Sequence, residues 1–383
     1  MMFTEASLHV TMRVDGPSVR TVLVRSTRMV QAARLFAGKQ PAEVLQLLPA
    51  VFSLCGTAQA LTGLAAMEKA AAIAASPAQK AARSLLLLGE SVSEHGLTVA
   101  RDWPLLAGAA PSLDHAKRLR HALAGLRAAL YPDGDWLHLG GGQLRPDTAR
   151  INTIVGQCRD TLTQLIGHDL DELMQPIAFM AWLQRESNPL LALVTNRCWQ
   201  GLGAGAAFLP MPELGPPDLS ARLQTDREGI YLARPDCAGR VFETGPLAHW
   251  HWHPLLTDLT DRFGTGLLTR LAARLVLLAE SLREMDEHRH DLRGEPAAPL
   301  PRLDGQGLAL TEAARGLLAH RVVLKEGLVG QYQILAPTEW NFHPEGALVR
   351  MLTGAPADQD LELRARLLVH ALDPCVSCTV AVE

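Results

Sequence analysis

Residues 266–287 carry Leu267, Leu268, Leu271, Leu275, Leu278 and Leu282 at helical spacing. This is the strongest periodic signal in the chain, and it constrains the fold more than any other stretch. Leucines recurring three and four positions apart lie along one stripe of a helix. A stripe of that length must be covered, either by the chain's own core or by a partner's face. It offers no ligand atoms, so it is not a cofactor site. A long covered helix predicts a helix-dominated body, and the other signals fit round it.

Ahead of it, Val10, Met12 and Val14 alternate with polar residues up to Asp15-Gly16, and Val22 and Val24 resume the alternation. That pattern predicts a hairpin over 1–26. Residues 28–37 and 42–48 read as short helices, followed by Cys55-Gly56-Thr57-Ala58 and an Ala-rich segment to residue 75. Ser76-Pro77-Ala78-Gln79 is a helix start: Ser76 caps, Pro77 suits the first turn and Gln79 completes a capping box. That helix is expected to reach residue 99. Further helices are predicted over 112–131, 147–166 and 170–186, with a glycine-rich loop at 140–142. Residues 199–250, rich in Gly and Pro, read as an irregular insert of loops and short strands. The helical body thus spans 27–290, and a proline-rich connector at 295–301 leads to a final section, 303–383. There, 318–324 and 328–335 flank Lys325-Glu326-Gly327 as a second hairpin, and helices follow over 344–353 and 360–370. These pieces predict an α+β, mainly α fold, a single unit over 1–383 with small sheets near both termini.

The chain has 383 residues, 48% of them hydrophobic, and a net charge of −4. That balance gives no electrostatic case for nucleic acid or an anionic membrane. No apolar run approaches the ~18 residues of a membrane span, and the opening residues lack the basic and apolar regions of a signal peptide. Six cysteines are too few for a disulfide scaffold of this size. The expectation is a reduced, cytoplasmic protein.

Two of those cysteines, Cys375 and Cys378, lie in Asp373-Pro374-Cys375-Val376-Ser377-Cys378, with five residues after them. A Cys-x-x-Cys turn brings two thiolates close enough to share a soft metal. The same spacing serves a zinc half-site or a redox dithiol. No second pair of similar spacing completes a four-ligand zinc site, and a thioredoxin-like dithiol needs a helix after it. Cys158, Cys198 and Cys237 match no motif and read as incidental thiols.

The turn resembles the C-terminal Asp-Pro-Cys-x-x-Cys-x-x-His motif of nickel–iron hydrogenase large subunits. Cys55-Gly56-Thr57-Ala58 resembles that family's Cys-Gly-x-Cys, with Ala58 in place of the second cysteine. Glu312-Ala313-Ala314-Arg315-Gly316, with His320 downstream, resembles Glu-Ala-Pro-Arg-Gly and its histidine. Pro337-Thr338-Glu339-Trp340-Asn341 resembles Pro-Thr-Thr-Trp-Asn. Glu5 aligns with the acidic residue of Arg-Ile-Glu-Gly-His, and His95 with a helix histidine. The likeness covers residues near 5–100 and 305–383 well and the middle poorly.

The resemblance implies that Cys55 and Cys375 match nickel-terminal ligands and that Cys378 matches a thiolate bridging to iron. Arg315 and Thr338 match positions that approach the iron's diatomic ligands, and Glu5, His95 and His320 stand behind them. Each has a plainer alternative: a salt-bridge arginine, a turn hydroxyl, a terminal side chain, a core histidine. With Ala58 a bridge is lost, and Ala381 stands in the slot of the final histidine, after which the family is processed. The expectation is therefore a tail that stays intact and a site that holds nickel poorly. The combination is similar to the HupK/HoxV group of hydrogenase assembly proteins. It implies a scaffold, not an enzyme, that transiently carries an Fe(CN)2(CO) unit, receives it from HypC/HypD-type chaperones and passes it to the apo hydrogenase large subunit. The rivals are a divergent catalytic subunit and a metal-free interaction protein.

Overall fold

The computed structural model describes residues 6–185, 188–299 and 303–383. Two antiparallel strands, β1 (Ser7–Asp15) and β2 (Ser18–Ser26), form the predicted hairpin. Gly16 turns it with φ 66°, a conformation glycine adopts without penalty. The alternation works as read, since Leu8, Val10 and Met12 are buried on one face of β1.

The central helix spans Leu267–His288. Its leucine stripe is covered by the chain itself, and burial extends beyond the stripe to Arg270 and Arg274. Both arginines are ion-paired, as charged groups at such depth must be. Helix α1 (Pro41–Val51) covers the short helix expected over 42–48, the Ala-rich segment folds as the cysteine-led helix α2 (Gly56–Ala70), and α3 (Pro77–Leu97) forms where expected and packs on the central helix. Ser76 accepts the N–H of Gln79 at 3.1 Å, so the cap is real. The second half of the capping box is not. The Gln79 side chain donates to the Gly142 carbonyl at 2.7 Å and accepts from the Tyr131 hydroxyl at 2.8 Å, pinning the glycine loop to α3.

Four other expectations are corrected. Residues 28–37 yield one 3-10 turn, Ala32–Phe36. The helix expected over 112–131 is two pieces, Leu113–Ala124 and Leu126–Leu130, broken at Gly125. That over 170–186 is Leu170–Leu173 and Pro176–Gln184, because Pro176 has no N–H to continue the first. The insert at 199–250 contains the short helices Leu219–Thr225, Ile230–Ala233 and Pro246–Trp250 in place of strands, with two isolated bridges, Pro210 to Glu243 and Cys237 to Arg240.

The second sheet has three strands in the order β3 (Gly305–Ala313), β4 (Gly316–Lys325), β5 (Leu328–Leu335). Strand β3 lacks a clean alternation because it lies against α2. A Cβ on Gly307 would fall 2.1 Å from the Ala66 carbonyl, so the close approach selects glycine. The last residues are not a loose tail. They form β6 (Ser377–Val382), parallel to β1 on its free edge, with Cys378 opposite Leu8. One large core fills the helical body, and a smaller one, around Leu223, Tyr231, Phe242 and Trp340, lies on the outer side of the second sheet. Among the described residues no helix is long and apolar enough to cross a membrane.

Candidate metal centre

Cys55 is the residue at which α2 begins. The helix's first free N–H groups are taken by Glu90 of α3, whose carboxylate accepts from Thr57 at 2.6 Å and Ala58 at 3.0 Å. Ala58 itself is fully buried. Gln59, one turn along, directs its amide N–H to Cys55 Sγ at 3.6 Å, and its carbonyl meets His320 Nε2 at 3.0 Å. His320 Nδ1 in turn meets the Tyr332 hydroxyl at 2.9 Å. Burial drives the His320 pKa down to about 3, so the ring is neutral. Only one polarity then satisfies every atom: Tyr332 donates to Nδ1, Nε2–H donates to Gln59, and Gln59 donates to sulfur. Without a metal the thiol keeps its proton, because burial first, then the neighbouring Cys375 and Glu90, push Cys55 up to about 12.

Cys375 arrives from another direction. The helix Leu361–Leu372 ends at Asp373, in the left-handed region at φ 50°, and the turn delivers the sulfur. Arg28, just beyond β2, donates from Nη1 to Cys375 Sγ and from Nε to Glu339 Oε1 at 2.8 Å. Thr338 Oγ1 lies 3.3 Å from the same sulfur. Thr338 and Glu339 sit on the short helix Pro337–Asn341, a single turn that sequence reading left unassigned.

Arg315 completes the surroundings. It occupies the turn between β3 and β4, where Ala313 pairs with Gly316. Gly316 has φ 120°, and a Cβ there would meet Thr244 Oγ1 at 2.3 Å, so the motif's glycine is required. Arg315 Nη2 donates to Glu94 at 3.1 Å, and Nε lies 3.6 Å from Asp373, which Arg274 also contacts at 3.3 Å. Burial works against the Asp373 charge, yet Arg315 and Arg274 hold its pKa below the usual range. Arg315 Nη1 is buried and has no hydrogen-bond partner among the described residues. His95 stands behind this turn. Its ring is buried, and burial drives its pKa to about 3, so Nε2–H donates to the Ala314 carbonyl at 2.7 Å.

The structure thus brings together Cys55, Cys375, Arg315 and Thr338, with His320 linked to Cys55 through Gln59 and His95 bonded to the Ala314 carbonyl beside Arg315. Glu5 lies outside the described residues. Cys378 sits on β6 against the large core, its thiol 3.9 Å from the Thr379 carbonyl and pushed up to about 11 by burial. Among the described residues no group of three or more His, Cys, Asp or Glu is arranged to hold a metal ion. Cys158 and Cys237 are buried and Cys198 is exposed. Sequence reasoning missed Arg28, Gln59, Glu90 and Glu94. Gln59 and Glu94 had a signal, one lying a helical turn beyond Cys55 and the other beside His95. Arg28 had none.

The family model described as nickel-dependent hydrogenase matches residues 265–381. The hydrogenase expression/formation protein HupV of Azotobacter chroococcum is 32% identical over 98% of each chain. The chain belongs to the nickel–iron hydrogenase large-subunit family. Within that family, the hydrogenase expression/formation protein HupK of Bradyrhizobium diazoefficiens is 30% identical over 96% of this chain and 94% of its own. The reduced nickel–iron–selenium hydrogenase of Desulfomicrobium baculatum superposes with a TM-score of 0.73 at 14% identity, covering 95% of both chains. At that identity the likeness is one of fold. The family's fold is therefore retained here.

Proposed function

We propose that the protein is a hydrogenase maturation scaffold, which receives an Fe(CN)2(CO) unit and passes it to the apo hydrogenase large subunit. The names of its full-length relatives, hydrogenase expression/formation proteins, support a maturation role. The observation that carries the finer reading is the pairing of Cys55 and Cys375 beside a buried arginine N–H that has no hydrogen-bond partner among the described residues. Soft thiolates suit low-valent iron. A cyanide nitrogen is an acceptor that Arg315 Nη1–H lacks. The residues present fit the cargo on both counts.

In this reading Cys55 and Cys375 hold the iron, and Cys378, on the strand that follows, is the third thiol the resemblance assigns to it. Gln59 keeps a donor on the Cys55 sulfur, while Glu94 and Asp373 keep Arg315 aimed. Thr338 offers a hydroxyl beside Cys375. Buried Ala58 contributes no lone pair, so nickel lacks a bridging sulfur and the hold on iron is weak enough for release. Chaperones of the HypC/HypD type are the proposed donors.

Infrared spectra of anaerobically purified protein, co-expressed with the maturation machinery, test this directly. Cyanide and carbonyl stretches should appear, vanish in Cys55→Ala and Cys375→Ala, and persist in Cys158→Ala. Absence of the bands, or stoichiometric nickel with hydrogen uptake, would replace the scaffold by one of its rivals.

A further inference from the structure

We propose that Arg28, braced by Glu339, is a charge filter at Cys375: it admits a metal unit that brings its own anionic ligands and turns away a bare divalent cation. The identity of the admitted cargo rests on the scaffold reading above, whereas the filter is a property of the metal-free protein.

The argument starts from how firmly the guanidinium is held. Arg28 Nε donates to Glu339 Oε1 at 2.8 Å, and the two side chains are only 15% and 7% exposed. The guanidinium is planar, so fixing Nε fixes the direction of Nη1, and that direction is the Cys375 sulfur. Swinging Arg28 away would strand Glu339 as an unpaired buried carboxylate, its other oxygen already without a partner among the described residues. Glu339 is also where this chain departs from the Pro-Thr-Thr-Trp-Asn pattern. A threonine there offers no charge with which to bury an arginine.

The second step concerns the sulfur. Cys375 Sγ already accepts from Arg28 and lies 3.3 Å from Thr338 Oγ1, so part of its lone-pair density is engaged before any metal arrives. Arg315 acts on the same sulfur from a distance. A nickel or zinc ion bound to Cys375 would sit beside a fixed guanidinium with no anion between them. In a poorly solvated site that repulsion is weakly screened. An iron unit bearing cyanide reverses the balance, because its ligands are negative and accept hydrogen bonds. The same arginine that repels a naked cation then faces an anion. Loss of the bridge at Ala58 lowers the affinity for a second metal, and Arg28 adds discrimination against a wrong first one.

The filter is tested with nickel(II) alone. Full-length, reduced, metal-free protein is titrated with nickel(II) against a competing chelator, in the wild type and in Arg28→Gln/Glu339→Gln. The double variant removes the cation without leaving a carboxylate to attract metal on its own account. It should bind nickel about tenfold more tightly or better, the effect of losing one charged contact. Adding Cys375→Ser should abolish the gain. A gain below about twofold, or one that survives Cys375→Ser, overturns the proposal. If the double variant does not fold by circular dichroism, Arg28→Lys serves in its place. A lysine keeps the cation, so nickel affinity should remain at the wild-type level, and a tenfold rise would overturn the filter. Infrared bands with unchanged nickel affinity in the double variant would leave the scaffold standing and remove the filter. Tighter nickel binding without such bands would do the reverse.

Discussion

Two histidines organise the hydrogen bonding behind the candidate metal centre, and burial keeps both rings neutral. His95 and His320 both have folded-state pKa values of about 3, against an ordinary value near 6.5, because burial disfavours the charged ring. A histidine with a depressed folded pKa contributes stability that is present above its unfolded value and is lost as pH falls towards the folded one. Between pH 6.5 and 3 each ring should therefore cost up to about 1.4 kcal/mol per pH unit. Chemical-denaturant midpoints measured across that window should fall steadily, and His320→Gln should flatten the slope. A midpoint independent of pH down to 4 would contradict the neutral, buried assignment. His320 was visible in the sequence as a motif residue, but its link to Cys55 was not. The amide of Gln59 connects them, and glutamine carries no signature of such a role.

Among the elements, α3 shows how local signals succeed and where they stop. Ser76 is an N-cap by composition and by geometry, since it is the hydroxyl that accepts the Gln79 N–H. Ser76→Ala should cost about 1 kcal/mol. Urea titration would show it as a lowered midpoint with an unchanged slope, and no shift at all would mean that the cap contributes nothing. Gln79 meets the same local rule yet serves a tertiary one, because the glycine loop at 140–142 offers its side chain a buried carbonyl. Strand β3 was overlooked for a related reason. Its glycines make room for the α2 backbone, and a segment that trades side chains for proximity loses the alternation that marks a strand. Strand β6 was read as a tail because six residues carry too little pattern without the β1 edge that pairs them.

At the scale of the whole molecule, buried ion pairs tie the irregular parts to the central helix. Arg270 grips Glu243 through two contacts, 2.9 and 2.7 Å, with both side chains under 5% exposed. This pair anchors the segment 199–250 on the helix. Arg270→Met should destabilise by about 3–5 kcal/mol, because it strands a buried carboxylate. Arg270→Met/Glu243→Gln should be markedly less damaging than the single change, because no charge is left behind. A double variant as unstable as the sum of its parts would show that the pair has no such coupling. No sequence pattern pointed to this bond, although both residues lie near features that were read, the leucine stripe and the Gly- and Pro-rich insert.

The sequence by itself determined the central helix, the N-terminal hairpin, the cap at Ser76 and the four motif stretches. Each depends on contacts within a few residues, where periodicity, capping chemistry and turn geometry act directly. By likeness to a family whose fold the chain shares, it also pointed to Cys55, Cys375, Cys378, Arg315 and Thr338 as one candidate site, and the structure brings Cys55, Cys375, Arg315 and Thr338 near one another. Only the tertiary structure decided that Arg28 and Glu339 close on Cys375, that Gln59 joins His320 to Cys55, and that β6 completes the first sheet. Arg28 and Cys375 are 347 positions apart. Over that separation one-dimensional pattern carries no information about approach, and the packing of the intervening helices alone sets which side chains meet.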